Sequence, residues 1–456
     1  MYLLYSLLLT LGVVALMPRF VYDAFRHGKY VSGLRERIGL LPAIETGGRP
    51  VIWLHCVSVG ETQAARPLAL ALLERFPGHA LVVSTITLTG QQVAREVFQE
   101  SAHAVFYFPF DWSWSTRRAL RAVNPSAVLI METELWPNFL RECRAREIPV
   151  ALVNGRLSEN SFRRYKFIRG FMRRVLDSLS LALMQTEEDA TRLLSLGLRP
   201  ERLMVSGNIK FDGGTNPSEQ VLTTEFNKRF GFDDGRPLIV AASTHAPEER
   251  IVIAAFKELQ SSLEPTRARL LLAPRHPERF AETATILEAS GLSWARRSHA
   301  PSVEDSARDV VLLDSIGELR AVYPLASIVF VGGSIAHTGG HNVLEPAAAG
   351  ACVLTGHHTY NFAAITKAFI EARALVQLPD LTESEAAPVL AQALEELLED
   401  DEWRRGFGER ARIVLEQNRG ATKRTIEGLT AILSSSPTAQ EALDQSQSAR
   451  PDALNA

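Results

Sequence analysis

Short apolar runs rich in Val, Ile, Leu and Ala recur along the chain, separated by stretches of helical length and mixed polarity. The runs at residues 51–57, 80–86, 104–108, 127–131, 150–153, 181–184 and 203–206 are continuous, the pattern of strands buried on both faces. Residues 62–75 and 90–101 between them carry helical spacing. Strands alternating with helices predict a parallel sheet covered on either side. The alternation breaks at 211–235, where FDGGTNPSEQ and GFDDG read as a linker. It restarts with runs at 238–242, 270–273, 310–313, 327–331, 352–355 and 375–378, then closes with helical stretches at 385–400 and 401–434. The expectation is an α/β chain of two facing, doubly wound, Rossmann-like domains, 32–210 and 236–433, the second including the closing helices. Ligands of such a fold bind at the carboxyl ends of the strands, here in the cleft expected between the domains. Residues 434–456 are polar and read as a disordered tail.

The first eighteen residues stand apart, because they are mostly apolar and carry no charge. As a helix they extend roughly 27 Å, close to the thickness of a bilayer's hydrocarbon core. Neither a basic leader nor a small-residue cleavage site accompanies them, so residues 1–22 are expected to form a single uncleaved membrane anchor. Arg19, Arg26, Lys29, Arg35 and Arg37 follow the run, which puts the remainder on the cytoplasmic side. A short interfacial helix, or a hydrophobic plug docked on the domain, is the alternative reading.

Composition narrows the function classes. A chain of 456 residues with 46% hydrophobic and 22% charged residues is globular, and its net charge of −3 argues against a nucleic-acid partner. Cys56, Cys143 and Cys352 are scattered without metal-ligand spacing, as in a reducing compartment.

The chemistry gathers where apolar runs end. VGGSIAHTGGHNVLEPA, residues 331–347, is a glycine-dense turn leading to a helix that opens near Asn342. Gly332, Gly333 and Ser334 suit a phosphate, since glycines let main-chain N–H groups approach an anion. Glu345, in the first helical turn, suits a sugar diol, so the pair suggests a nucleotide site. HCVSVGET, residues 55–62, sets Glu61 at a strand-to-helix turn, a position for a general base. ETELWPN, residues 132–138, brings Glu132 and Glu134 to the end of another run. They can orient an acceptor sugar, tune Glu61 by like-charge coupling, or serve the fold through caps and an ion pair to Arg156. After NGRLS (154–158), Arg163, Arg164, Lys166, Arg169, Arg173 and Arg174 are interleaved with Phe162, Tyr165, Phe167 and Phe171. That segment suits anionic lipid headgroups or an acceptor's phosphates. Runs also end in ASTH (242–245) and APRHPERF (273–280); Arg275 and His276 offer a guanidinium and an imidazole to an anion. Asn361 is a further candidate for nucleotide or sugar contact.

Together, in order, these motifs resemble the Kdo transferases, membrane-anchored glycosyltransferases that add 3-deoxy-D-manno-octulosonic acid to the lipid A precursor of lipopolysaccharide. The resemblance runs from the N-terminal segment to about residue 424 and rests on HCVSVGET, ETELWPN, NGRLS, RHPERF and GGSIAHTGGHNVLEPA with the later Asn361-Phe362. It implies a GT-B fold and inverting transfer from CMP-Kdo to the lipid A precursor (lipid IVA). It also implies an inner-membrane location among anionic lipids, and no metal or other cofactor. By the same resemblance Glu61 is the general base. Arg275, His276, Gly332, Gly333, Ser334, Asn342, Glu345 and Asn361 hold the CMP moiety, and Glu132, Glu134 and Arg156 lie on the acceptor side. The alternatives are another GT-B nucleotide-sugar transferase or epimerase, and a non-catalytic membrane-tethered relative.

Overall fold

The computed structural model describes residues 1–27, 33–212, 217–262 and 268–434. The chain divides into two compact units, Met1–Gly213 with the segment from Arg419 onward, and Gly214–Asn418.

In the first unit seven strands run parallel: β1 (Val51–His55), β2 (Ala80–Thr85), β3 (Ala104–Tyr107), β4 (Pro125–Met131), β5 (Val150–Gly155), β6 (Leu181–Met184) and β7 (Leu203–Val205). Their order is β3-β2-β1-β4-β5-β6-β7. Successive residues of β1 face opposite sides of the sheet. Val51 and Trp53 enter one core with Phe106 and Phe139, while Ile52 and Leu54 enter a second with Leu68 and Leu72. Both faces being covered is why the run is continuously apolar. The strand order reverses between β1 and β4, so the loops leaving these two strands diverge and open a crevice.

The second unit repeats the plan with β8 (Leu238–Thr244), β9 (Arg269–Pro274), β10 (Trp294–Arg296), β11 (Val310–Leu312), β12 (Ile328–Val331), β13 (Cys352–Thr355) and β14 (Val376–Gln377). The order β10-β11-β9-β8-β12-β13-β14 reverses between β8 and β12. The sequence pattern misses β10, a three-residue edge strand too short to carry a periodic signal.

Three expectations change. Within the expected linker, Pro217–Phe230 is a helix of the second unit, with Phe226 and Phe230 fully buried four residues apart. The closing helix Ala421–Ser434 packs on the first unit rather than the second. Ile426, Leu429 and Leu433 join the core of Ile52 and Leu129. Asp212 accepts hydrogen bonds from the Gly420 and Thr422 N–H groups at 2.7 and 2.5 Å, and Arg424 Nε donates to the Ser206 carbonyl at 2.8 Å. An apolar stripe does not tell which of two sheets will cover it. The expected tail lies outside the described residues from 435 on.

The third concerns the membrane anchor expected at 1–22, which the structure does not show. The N-terminal helix Tyr2–His27 lies with one face on the first unit. Tyr2 and Tyr5 pack on Phe171 with ring centroids 5.3 and 6.0 Å apart. Asn138 Nδ2 donates to Ser6 Oγ at 3.0 Å, and Trp112 Nε1 to Thr10 Oγ1 at 3.1 Å. Leu3, Leu4, Leu7, Leu8, Leu11 and Val14 are exposed. Among the described residues no helix is long and apolar enough to cross a membrane. Positions 2, 5, 6 and 10 share one helical face, and their polar and aromatic groups bind it to the domain.

Replacing Asp212 by Ala removes the acceptor that anchors the start of the closing helix. The expected cost is about 1–2 kcal/mol, as for loss of an N-cap, read as a lower Tm with unchanged secondary structure.

Candidate active site

In the first unit the candidate residues collect at the reversal point. Ser58 caps the helix Val59–Arg75 that follows β1, and Glu61 occupies its first turn. Ser58 Oγ accepts from the Glu61 N–H at 3.4 Å and donates to Glu61 Oε1 at 2.9 Å. The Val57 N–H donates to Glu61 Oε2 at 2.8 Å. This is close to a capping box, with the carboxylate reaching one residue further back. The reach fixes the carboxyl group over the end of β1.

Glu61 is only 7% exposed, and its pKa is raised to about 7, first by burial and then by the charge of Glu132, with a smaller push from Glu134. Hydrogen bonds from Val57 and Ser58 pull the other way. Glu134 is likewise raised to about 7, by burial and by Glu132. Glu132 is held in a left-handed conformation at φ 54°, just past β4. Its carboxylate pairs with Lys210 Nζ at 2.8 Å and lies 3.9 Å from Arg156 Nε. Thr133 Oγ1 donates to the Arg156 carbonyl and accepts from its N–H, so the loops after β4 and β5 are stitched together. The structure thus brings Glu61, Glu132, Glu134 and Arg156 into one electrostatic cluster. A carboxyl group that titrates near neutrality in such a crevice is equipped to take a proton from a hydroxyl.

The second unit assembles its candidates where β8, β9 and β12 end. The glycine turn expected to seat a phosphate is already filled. The Glu248 carboxylate, fully buried at the start of the helix Glu248–Ser262, accepts from the N–H groups of Gly333, Ser334, Ile335 and Ala336 at 2.7, 2.9, 2.9 and 3.1 Å. It also accepts from the His245 N–H at 2.9 Å. Burial pushes its carboxyl above the usual range, against the pull of these main-chain donors. Of the amides expected to seat a phosphate, those of Gly333 and Ser334 are taken by the protein's own carboxylate, and that of Gly332 donates to the Ala242 carbonyl at 2.8 Å. Gly332 is required for another reason. A Cβ there would lie 2.6 Å from the Ser243 carbonyl oxygen and 2.9 Å from Glu248 Oε2.

Around this turn stand three imidazoles. His245 Nε2 lies 2.8 Å from His341 Nε2, the rings 6° from coplanar, and His276 meets His245 edge-on with centroids 5.1 Å apart. Arg275 and His276 are exposed at the end of β9. Burial, the other histidines and Arg275 depress the pKa of His341 to about 3, and that of His245 falls for similar reasons. Asn342 Nδ2 donates to Glu345 Oε1 at 3.2 Å, and Arg320 Nε lies 4.0 Å from the same oxygen. Burial raises the Glu345 pKa. Asn361 Nδ2 donates to the Thr338 carbonyl at 2.9 Å, which makes it a fastener of the glycine loop. Among the described residues no group of three or more His, Cys, Asp or Glu could hold a metal ion.

Sequence reasoning missed Lys210 and Glu248 as members of these sites. Lys210 has no local signal, since it reaches Glu132 from 78 positions away. Glu248 stands three residues after His245, whose N–H it accepts, and that capping spacing could have exposed it.

A profile of the family described as 3-Deoxy-D-manno-octulosonic-acid transferase (kdotransferase) matches residues 32–213. The 3-deoxy-D-manno-octulosonic acid transferase of Haemophilus influenzae is 35% identical over 399 residues, covering 88% of this chain and 91% of that relative. The protein of the same name from Bordetella pertussis is 38% identical over 387 residues, covering 83% and 86%. Among solved structures, the UDP-GlcNAc 2-epimerase from Neisseria meningitidis bound to UDP-GlcNAc aligns with a TM-score of 0.55 at 15% identity, over 84% of this chain and 100% of that one. At that identity the likeness is one of fold.

Glu248→Ala would leave buried N–H groups without an acceptor, at about 1–3 kcal/mol for each that water cannot reach. The expected loss is at least about 3 kcal/mol in denaturant unfolding, with Glu248→Gln milder because its amide keeps one acceptor oxygen.

Proposed function

The chain belongs to the 3-deoxy-D-manno-octulosonic acid (Kdo) transferase family, and on that premise we propose how its residues share the reaction. The protein is a glycosyltransferase that transfers Kdo in lipopolysaccharide assembly. We take CMP-Kdo as the donor and the lipid A precursor as the acceptor.

Glu61 removes the proton of the acceptor hydroxyl as that oxygen attacks the anomeric carbon of Kdo. The bond from that carbon to the phosphate oxygen breaks, its electron pair leaves with CMP, and the configuration inverts. The observation that carries this reading is the buried Glu61 carboxylate, held over the end of β1 with a pKa of about 7. Burial and then the charges of Glu132 and Glu134 keep that proton affinity high, and with Arg156 these two carboxylates form the acceptor side. Arg275 offers a guanidinium and His276 an imidazole to the donor phosphate. Glu345 and Asn342 suit the ribose hydroxyls, while Gly332–Ser334 and Asn361 support the loop that carries them.

The N-terminal helix supports membrane association by lying in the plane of the inner leaflet. Its exposed leucines form one apolar stripe, and its docked face adjoins the basic helix Arg169–Leu176 through Phe171. Arg163, Arg164, Lys166, Arg169, Arg173 and Arg174 are exposed, with Phe167 91% exposed among them. Apolar insertion beside basic side chains is the chemistry of an interfacial contact with anionic lipid.

Mass spectrometry of lipid A precursor incubated with CMP-Kdo reads the reaction directly. Glu61→Gln is expected to cut transfer by about 10²–10⁴-fold, the range for loss of a general base, with the fold intact; near-normal turnover would remove Glu61 from the role. A base works only when ionised, so kcat/KM should fall as pH drops through about 7. Glu132→Gln withdraws a like charge and should move this acidic limb to lower pH.

Flotation with vesicles tests the membrane contact. The protein should bind vesicles rich in anionic lipid more than neutral ones, and replacing Leu4, Leu7 and Leu11 by Gln should weaken binding to both. Unchanged flotation of that variant would count against the helix.

A further inference from the structure

The histidine pair at the reversal point of the second sheet has no part in the reaction as described. His245 follows β8 and His341 follows the glycine turn after β12. Two imidazole nitrogens 2.8 Å apart and nearly coplanar need one proton between them. With none, two lone pairs face each other; with two, N–H meets N–H. The pair therefore holds either one proton between its facing nitrogens as a neutral unit or one extra proton as a cation.

The main-chain N–H of His245 is bound to Glu248 at 2.9 Å, and the His341 ring lies against Gly333, where a Cβ would meet its Nε2 at 3.2 Å. Both histidines are only partly buried, so a ligand can reach them. The charged groups that face the pair are Arg275, His276, Arg279, Glu249 and Glu248. Arg279 and Glu249 pair with each other at 2.9 Å, and Glu248 is spent on main-chain donors. Burial first, and then the neighbouring imidazoles and Arg275, keep the free pair neutral.

We infer that His245 and His341 form a proton-linked seat for the donor's phosphate, taking up one proton when the nucleotide binds beside Arg275. This rests on the reading of the second unit as the donor site. The bound phosphate supplies the negative charge that the empty site lacks, so the pair's proton affinity rises. In transfer, the acceptor's proton goes to Glu61 and the carbon–oxygen electron pair stays on the phosphate. CMP then carries a second negative charge, which the protonated pair balances.

Calorimetric titration of the full chain with CMP, in two buffers of different ionisation enthalpy near neutral pH, counts the protons bound. The expected result is uptake of about one proton, with affinity falling by up to about tenfold per pH unit as pH rises. His341→Gln and His245→Gln, each checked for folding by circular dichroism, should bind CMP more weakly, with that uptake gone. CMP binding without proton uptake, or with the same uptake in both folded variants, overturns the pair and leaves the donor site standing. Absence of CMP binding by the folded wild-type chain overturns the donor reading and the pair with it.

Discussion

Buried carboxylates that accept main-chain N–H groups hold the working loops of this protein. Loops leaving parallel strands lose the ladder that paired their backbone, and an orphaned amide away from water is costly. Glu248 satisfies four successive amides of the turn after β12, and Glu61 satisfies Val57 after β1. Asp111 accepts from Asn138 and Phe139 at 3.0 and 2.7 Å, and Asp189 from Leu157 at 2.7 Å. In each case an acid on one loop or helix start fixes the backbone of a turn, and several of these acids lie far from their partners in sequence. The loops become rigid enough to present side chains, as a reacting constellation requires.

The same devices set the electrostatics. In the first unit, burial and then the charge of Glu132 raise the proton affinity of Glu61 and Glu134, so both sit near neutrality while Glu132 is paired with Lys210. In the second unit, burial and then the neighbouring imidazoles and Arg275 lower the proton affinity of His245 and His341. One unit thus gathers carboxyl groups of raised proton affinity, and the other gathers imidazoles of lowered proton affinity beside Arg275. The N-terminal helix adds a third element, apolar on its open face and tied down through Tyr2, Ser6 and Thr10 on the other.

The sequence by itself determined the two doubly wound units and the loops that matter. Strands buried on both faces must be continuously apolar, and the residues following such strands are the ones a parallel sheet exposes at its carboxyl edge. That Glu61, Glu132, Glu134, Arg275 and His276 stand just past such strands was legible for that reason. Tertiary structure alone decided what those loops are free to do. The glycine turn reads as an anion seat until Glu248 is found inside it, and the pairing of His245 with His341 joins residues 96 positions apart. Lys210, the closing helix on the first sheet and the docked face of the N-terminal helix are also long-range matters. Local pattern reports what a segment must bury and how it turns. Which distant group completes its hydrogen bonds or its charge depends on how strands that are remote in sequence become neighbours in space.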